Sequence, residues 1–376
     1  MRDNDSFEIF LATLPGLEPV LAEEARALGF SGAAPVSGGV VFTGGWEQVW
    51  RANLHLRTAS RVLARVGAFR AFHLAQLDKR ARKFDWAGTL RADEPVRVEA
   101  SCKGSRIYHA GAARQRIETA IAETLGAPLA ADAAVQIKAR IEDDLCTLSV
   151  DTSGEALHRR GHKQAVGKAP LRETMAAAFL RLCGFDGSEP LVDPMCGSGT
   201  FPIEAAEIAA GMAPGRSRGF AFERLAGFDA PAWQTMRHAA IAGASHAPPP
   251  GPRFFGFDRD AGAIATSRDN AERAGVAHLA EFRCQPVSEL NPPDGPPGLV
   301  MVNPPYGGRI GNRKLLFALY GALGKALAGR FAGWRVGLVT SDAALARATG
   351  LPFHPPGPPV PHGGLTVRLY RTGPLA

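Results

Sequence analysis

Four consecutive residues, Asn303-Pro304-Pro305-Tyr306, put an amide, two prolyl carbonyls and an aromatic ring side by side. They follow Leu299-Val300-Met301-Val302, a short apolar run that reads as a buried strand. Two prolines cannot continue a central strand, because neither has an N–H to give the ladder. The chain therefore leaves the sheet at Asn303. The amide and the ring come to lie at the strand's carboxyl end, which is where open α/β sheets bind ligands. An amide oxygen, a prolyl carbonyl and a stacking ring suit a planar base or amide whose exocyclic NH2 is to be modified. Taken alone, the same residues also make a plain Pro-Pro turn.

Two further motifs precede it. Leu191-Val192-Asp193-Pro194-Met195-Cys196-Gly197-Ser198-Gly199-Thr200 reads as a strand ending at Asp193, a turn of small residues, and a helix. Small residues let backbone approach a ligand closely, and the helix N-terminus faces the same space. No lysine follows the glycines, so this is not a Walker phosphate loop. It also lacks the three-glycine dinucleotide fingerprint. An acidic strand end suits a cationic ligand group, such as the amine of an amino acid. The next motif is Phe254-Phe255-Gly256-Phe257-Asp258-Arg259-Asp260. An acid at that strand end can hold ribose hydroxyls. It can equally cap the following helix, a task open to Asp258 and Asp260 alike.

Strands and helices in alternation must position these motifs. Strands are expected at Leu191–Asp193, Phe254–Asp258, Ala280–Cys284, Leu299–Asn303 and Arg335–Ser341. Helices are expected near Thr200–Ala210, Asp260–Ala274 and Leu315–Leu327. Helices of that length between sequential strands imply a mostly parallel sheet with right-handed crossovers. Thr366–Tyr370 reads as a late, antiparallel strand, and 211–252 as an insertion rich in Pro, Arg and Gly.

Upstream the pattern is α+β. Strands are expected at Phe7–Ala12, Gly39–Thr43, Val96–Ala100 and Leu145–Asp151. Helices are expected at Pro19–Leu28, Trp46–Asn53 and Ala112–Leu125. Lys103-Gly104-Ser105-Arg106-Ile107-Tyr108-His109 reads as a glycine-hinged loop with two cations and an aromatic. Leu157–Lys163 reads as a basic connector facing RNA, and Ala169-Pro170-Leu171-Arg172-Glu173 starts a helix running to Cys183. His158 and His162 are four apart, like a helical metal pair, but Gly161 interrupts the turn and no third ligand is near.

Among the 376 residues, 45% are hydrophobic and 21% charged, enough for packed cores in two or three domains. The net charge of +7 is unevenly spread. Residues 1–50 carry two basic and seven acidic side chains, whereas 51–116 carry fifteen basic and five acidic. Such a block suits a phosphate backbone, and taken alone it equally describes a solvated face. Five scattered cysteines without a Cys-x-x-Cys pair read as reduced thiols, and no metal is expected. No apolar run reaches membrane-spanning length, and the polar start Met1-Arg2-Asp3-Asn4-Asp5 leads into no signal-peptide core. A cytoplasmic protein is expected.

The three motifs in order resemble those of class I S-adenosylmethionine-dependent methyltransferases of the amino-modifying type. His158-Arg159-Arg160-Gly161, Ala169–Glu173 and Lys103–His109 narrow the resemblance to the THUMP-containing RNA guanine-N2 methyltransferases, most of all those of large-subunit ribosomal RNA. The resemblance implies a ferredoxin-like unit at 1–65, a THUMP RNA-binding domain at 66–154, and a doubly wound, Rossmann-like methyltransferase domain at 155–376. It implies S-adenosylmethionine as cofactor, held by Asp193, Pro194, Cys196, Gly197, Ser198, Gly199, Thr200, Asp258 and Asn303. It implies Asn303, Pro304 and Tyr306 as the catalytic set, and Lys103, Arg106, Tyr108, Arg159, Arg160 and Lys163 as RNA contacts. The sequence departs from the pattern at Pro286, where an acid or amide would meet the adenine; Gln285 or Ser288 would substitute. A transfer RNA substrate, DNA adenine N6, a protein glutamine, and an inactive RNA-binding assembly factor are the competing readings.

Overall fold

The computed structural model describes residues 6–163, 171–244, 253–307 and 313–376. Along the chain the elements run β1 (Phe7–Ala12), α1 (Glu18–Ala27), β2 (Ala34–Val36), β3 (Gly39–Gly44), α2 (Trp46–His55), β4 (Arg61–Arg70), α3 (Leu74–Ala81), β5 (Val96–Lys103), α4 (Ala110–Leu125), β6 (Val135–Glu142) and β7 (Leu145–Asp151). There follow α5 (Glu173–Leu182), β8 (Leu191–Asp193), α6 (Thr200–Ala209), α7 (Ala230–Gly243), β9 (Phe254–Asp258), α8 (Ala261–Ala274), β10 (Ala280–Cys284), β11 (Leu299–Val302), α9 (Arg313–Arg330), β12 (Arg335–Thr340), α10 (Ala343–Ala348), β13 (Val360–His362) and β14 (Leu365–Arg371). Ala169 and Pro170, expected to open α5, lie outside the described residues, as do 245–252 of the expected insertion.

The described residues form two compact units. One comprises those of Met1–Thr13, Ala22–Leu157 and Ser217–Ala239; the other comprises those of Leu14–Leu21, His158–Arg216 and Ala240–Ala376.

The first unit is built on one sheet, ordered β2-β3-β1-β4-β7-β6-β5. Only β5 and β6 pair in parallel. The two α+β units expected on either side of residue 65 share this sheet, since β4 runs through that point. β4 pairs with β1 over Arg61–Arg65 and with β7 over nearly its whole length. Its register slips between Arg65 and Gly67, so Val66 is an extra residue. A bulge of this kind reverses which side chains face inward, and β4 went unread in the sequence because its alternation breaks there.

Residues 217–239, read as part of an insertion, bring Phe220, Phe222 and Trp233 into a cluster with Trp50 of α2. Arg218 donates to the carbonyls of Ser153, Glu155 and Ala156.

In the second unit the sheet order is β10-β9-β8-β11-β12-β14-β13. β8 to β12 are parallel where they pair, and β14 is antiparallel to both its neighbours. The chain builds outward from β8 through β9 to β10, then returns to the other side of β8 with β11. That reversal opens a crevice at the carboxyl ends of β8 and β11. β11 is buried on both faces, and its side chains alternate between two cores. Leu299 and Met301 join the residues of α5, α6 and α8; Val300 and Val302 join those of α9 and α10. Helices therefore cover both faces, as doubly wound sheets require.

Where α9 passes α10 the backbones nearly touch. A Cβ at Gly324 would sit 1.7 Å from the Thr349 carbonyl oxygen. Gly324→Ala should therefore cost about 1–3 kcal/mol through overpacking, although alanine is the better helix former. Urea denaturation checks this; an unchanged midpoint would mean that the helices part at no cost.

Candidate functional site

Asp193 closes β8, Asp258 closes β9, and Asn303 follows β11. All three stand at the carboxyl rim beside the strand-order reversal. The turn after β8 is pinned to the end of β9. Cys196 N–H donates to the Phe257 carbonyl at 2.8 Å, and Gly197 N–H donates to Asp258 Oδ2 at 3.0 Å. Gly197 and Gly199 have φ of +54° and +79°, a region that L side chains rarely adopt. At Gly199 a Cβ would also press on Ser267 and Phe282, each 3.1 Å away. Glycine is required there on both counts.

The two candidate caps of α8 divide the work. Asp260 caps the helix, accepting from Gly262 and Ala263 N–H. Asp258 accepts from Asp260 N–H through Oδ1 and from Gly197 N–H through Oδ2. An ionised carboxylate has about four acceptor sites, so Asp258 keeps capacity for hydroxyl donors.

Asp193 is buried, and Oδ1 accepts from Met195 N–H at 3.1 Å. Burial pushes its carboxyl well above the ordinary range against the pull of that hydrogen bond, and the nearby Asp258 charge adds to the rise. Such a carboxyl favours a cationic ligand group, which would restore its charged form. Cys196 is likewise buried and its thiol is pushed up, which makes it a packing group beside the turn and not a nucleophile.

Asn303 Oδ1 is buried and has no hydrogen-bond partner among the described residues. A buried acceptor left unmade costs about 1–3 kcal/mol, so its retention points to a donor that arrives with a ligand. Tyr306 is half-buried, packs against both cores of the unit, and its phenol is pushed up to about 12 by burial. At the expected adenine position Pro286 is exposed and Gln285 half-buried; the Gln285 N–H donates to the Asp258 carbonyl.

Two residues of this framework went unread in the sequence. Ser267 Oγ donates to the Gly197 carbonyl at 2.8 Å, and Asn270 Nδ2 donates to the Ser198 carbonyl at 3.0 Å. Arg273 holds the Asn270 amide at 2.5 Å. These side chains sit three apart on one face of α8, the only signal available beforehand, and a common one.

The expected RNA contacts divide sharply. Lys103, Arg106 and Tyr108 in the first unit are exposed, Tyr108 by 85%. Arg106 lies over the Phe72 ring at 5.1 Å. Arg159 is exposed too. Arg160 and Lys163 are corrected. Arg160 is 2% exposed and ion-paired to Glu204 at 3.0 Å and Glu207 at 3.7 Å. Lys163 donates to Thr200 Oγ1 and the Leu171 carbonyl, with Glu173 at 3.4 Å. Their charges are consumed inside the second unit, so neither faces RNA. His158 is pushed down to about 4 by burial, and His162 Nδ1 lies 4.0 Å from Glu207. Among the described residues no group of three or more His, Cys, Asp or Glu could hold a metal ion, and no helix is long and apolar enough to cross a membrane.

The comparisons with known proteins fit this geometry. Residues 160–352 match the RMKL-like methyltransferase domain, and residues 8–63 match the RlmL ferredoxin-like domain. The chain is 35% identical over 343 residues to the ribosomal RNA large subunit methyltransferase K/L of Vibrio campbellii. That match covers 89% of the chain and 48% of the relative, so the chain spans about half the relative's length. Among solved structures, one described as a predicted N6-adenine-specific DNA methylase from Listeria monocytogenes is 30% identical, with a TM-score of 0.88 and coverage of 98% of this chain and 97% of that one. SMU.472, described as a methyltransferase complexed with SAH, is 27% identical with a TM-score of 0.88 and 99% coverage of both chains.

Two expectations follow. A carboxyl whose native pKa is raised binds its proton more tightly when folded. The stability this gives is complete below the ordinary value near 3.8 and is lost as pH rises through the native value. Ligand-free Asp193→Asn should therefore be more stable than wild type at neutral pH, with the gap closing as the pH falls toward about 4. Denaturant midpoints across that range measure it, and a gap that stays constant with pH would contradict it. Arg160→Ala should cost about 3–5 kcal/mol, because it removes a buried cation from beside Glu204 and Glu207; Arg159→Ala, at an exposed side chain, should cost less. Equal midpoints for the two variants would put Arg160 back on the surface.

Proposed function

Because the chain belongs to the RMKL-like methyltransferase family, we propose that it transfers a methyl group from S-adenosylmethionine to the exocyclic N2 amine of a guanine in RNA, with large-subunit ribosomal RNA as the substrate. Asn303 Oδ1, buried and without a hydrogen-bond partner among the described residues, carries this reading. It is an acceptor in want of an N–H at the rim where an aromatic ring and a prolyl carbonyl also stand.

The site residues fit the cofactor. Asp193 is a buried carboxyl suited to an ammonium, Asp258 retains acceptor capacity for ribose hydroxyls, and the Cys196–Gly199 turn admits close approach of backbone. Pro194, Ser198 and Thr200 complete the same strand–turn–helix segment. When bound, S-adenosylmethionine supplies an electrophilic methyl on a sulfonium.

The guanine amine is a poor nucleophile because its lone pair is delocalised into the ring. Asn303 Oδ1 and the Pro304 carbonyl accept its two hydrogens, which localises the lone pair and aims it. Tyr306 stacks on the ring; such stacking is worth about 1–3 kcal/mol per base and offsets part of the cost of unstacking the nucleotide. Holding the amine in one orientation removes several kcal/mol of barrier that free reactants would meet as lost entropy, about 7 at the lower end for well-aligned groups. As nitrogen becomes positive, the same two oxygens face the new charge. The new N–CH3 bond would form as the S–CH3 bond breaks, with the sulfur leaving as a neutral thioether. The methylated ammonium, being acidic, would release its proton to water, so the arrangement asks for no strong general base. In the first unit, a THUMP domain within 66–154 grips RNA through Lys103, Arg106 and Tyr108, while Arg159 adds a cation from the second unit.

Transfer of tritium from labelled cofactor into ribosomal RNA, transfer RNA, DNA and protein, followed by mass spectrometry of the nucleosides, tests the proposal. N2-methylguanosine from large-subunit RNA is expected; label confined to DNA or protein would overturn it. Asn303→Ala should lower transfer by at least about 100-fold, the scale set by losing one preorganised polar contact to a transition state. RNA affinity should stay near wild type, and substantial residual transfer would refute the role given to the amide.

A further inference from the structure

The turn that carries Asn303 and Pro304 is held from beneath by one buried phenol. Tyr320 of α9 has no solvent exposure, and its hydroxyl lies 3.3 Å from the Pro305 carbonyl oxygen and 3.2 Å from Thr340 Oγ1. Thr340, at the end of β12, is also fully buried, and Oγ1 accepts from Asp342 N–H at 3.2 Å. One phenolic proton cannot serve both neighbours. The Pro305 carbonyl can only accept, and the Asp342 N–H can only donate. One arrangement serves every neighbour: Asp342 N–H donates to Thr340 Oγ1, the Tyr320 hydroxyl donates to the Pro305 carbonyl, and the Thr340 hydroxyl can then donate back to Tyr320.

This matters because Pro305 links the two working ends of the turn. Pro304 on one side offers the carbonyl; Tyr306 on the other offers the ring. Neither Pro304 nor Pro305 has an N–H, so the ladder that fixes β11 up to Val302 has no hold on these two residues. A hydrogen bond accepted at the Pro305 carbonyl fixes the peptide plane leading into Tyr306. The aromatic body of Tyr320, packed in the α9 core, supplies the rigidity.

We propose that Tyr320 is a positioning residue for methyl transfer: it sets the orientation of the Asn303–Tyr306 turn through the Pro305 carbonyl, and Thr340 orients its hydroxyl. The inference rests on the functional reading of that turn.

The test compares wild type, Tyr320→Phe, Thr340→Val and Asn303→Ala. The readouts are the single-turnover rate at saturating S-adenosylmethionine on an unmodified transcript of large-subunit ribosomal RNA, the Kd of cofactor and of RNA, and circular dichroism at the assay temperature. Tyr320→Phe should slow transfer by about 10- to 100-fold, the penalty for a displacement of roughly 1 Å at a reacting group, with both Kd values within about twofold of wild type. Thr340→Val leaves the bond to Pro305 possible and should slow transfer less, by several-fold. Rates within twofold of wild type in both variants would overturn the proposal. So would a loss confined to either Kd, the mark of a merely structural role. If Tyr320→Phe does not fold, the Thr340→Val rate decides alone, and an unchanged rate sinks the idea. An inactive Asn303→Ala beside a fully active Tyr320→Phe rejects this inference and spares the reading of the site. An active Asn303→Ala, or a wild type that modifies no RNA, rejects that reading, and the inference falls with it.

Discussion

Among the described residues, the carboxyl rim of the second sheet holds a buried acceptor, Asn303 Oδ1, that has no donor, beside a buried carboxyl, Asp193, that accepts from Met195 N–H. Burying polar groups in this state costs free energy that the rest of the fold must offset. A ligand offering an amine at one place and an ammonium at the other would meet both demands. The surrounding scaffold is correspondingly stiff. β8 and β11 are fully buried, helices pack on both faces, and the glycine turn is bonded to β9 on one side and α8 on the other. The rim can hold unsatisfied groups in place because little around it is free to collapse onto them.

Much of this was legible beforehand, because each motif marks a place where a buried strand must stop. An apolar run broken by Pro-Pro, by a Gly-Ser-Gly turn, or by an acid before a helix has few alternatives in a parallel sheet. The strands at 191–193, 254–258 and 280–284 were read to the residue, and those at 299 and 335 overran by one. The amino-terminal sheet was less legible. The bulge at Val66 splits β4 into two short phases, neither long enough to register alone. β6 alternates cleanly, with Val135, Ile137, Ala139 and Ile141 inward, yet its outward Lys138 and Arg140 resemble a solvated charge run. α7 buries only Trp233, so it has no apolar stripe to betray it.

Charge misled where burial was invisible. Arg159 and Arg160 are adjacent and chemically identical, and both looked like phosphate contacts. For Arg160 its partners decide otherwise. Glu204 and Glu207 lie more than forty residues downstream, on the inward face of α6, where each reads as an ordinary polar position in an otherwise apolar helix. A basic residue in a connector is informative only once the acids of the neighbouring helix are placed. The Asp258 and Asp260 pair was a milder case of the same problem: either could cap α8, and the choice rests on which carboxylate the Gly262 and Ala263 N–H groups reach.

The buried cations in turn explain how the connector at 158–163 is fastened to α6 and the glycine turn. Arg160 ties the connector to α6 through Glu204, and Lys163 ties it to Thr200, the first residue of that helix. Arg273 of α8 donates to the His162 carbonyl and holds the Asn270 amide, which itself donates to the Ser198 carbonyl. The connector, the amino end of α6 and the glycine turn are thus joined by one run of largely charge-assisted hydrogen bonds, which are stronger than neutral ones and costly to leave half made. The positive charge that resembles an RNA-binding run is, over Arg160 and Lys163, an internal fastening of α6 and the glycine turn.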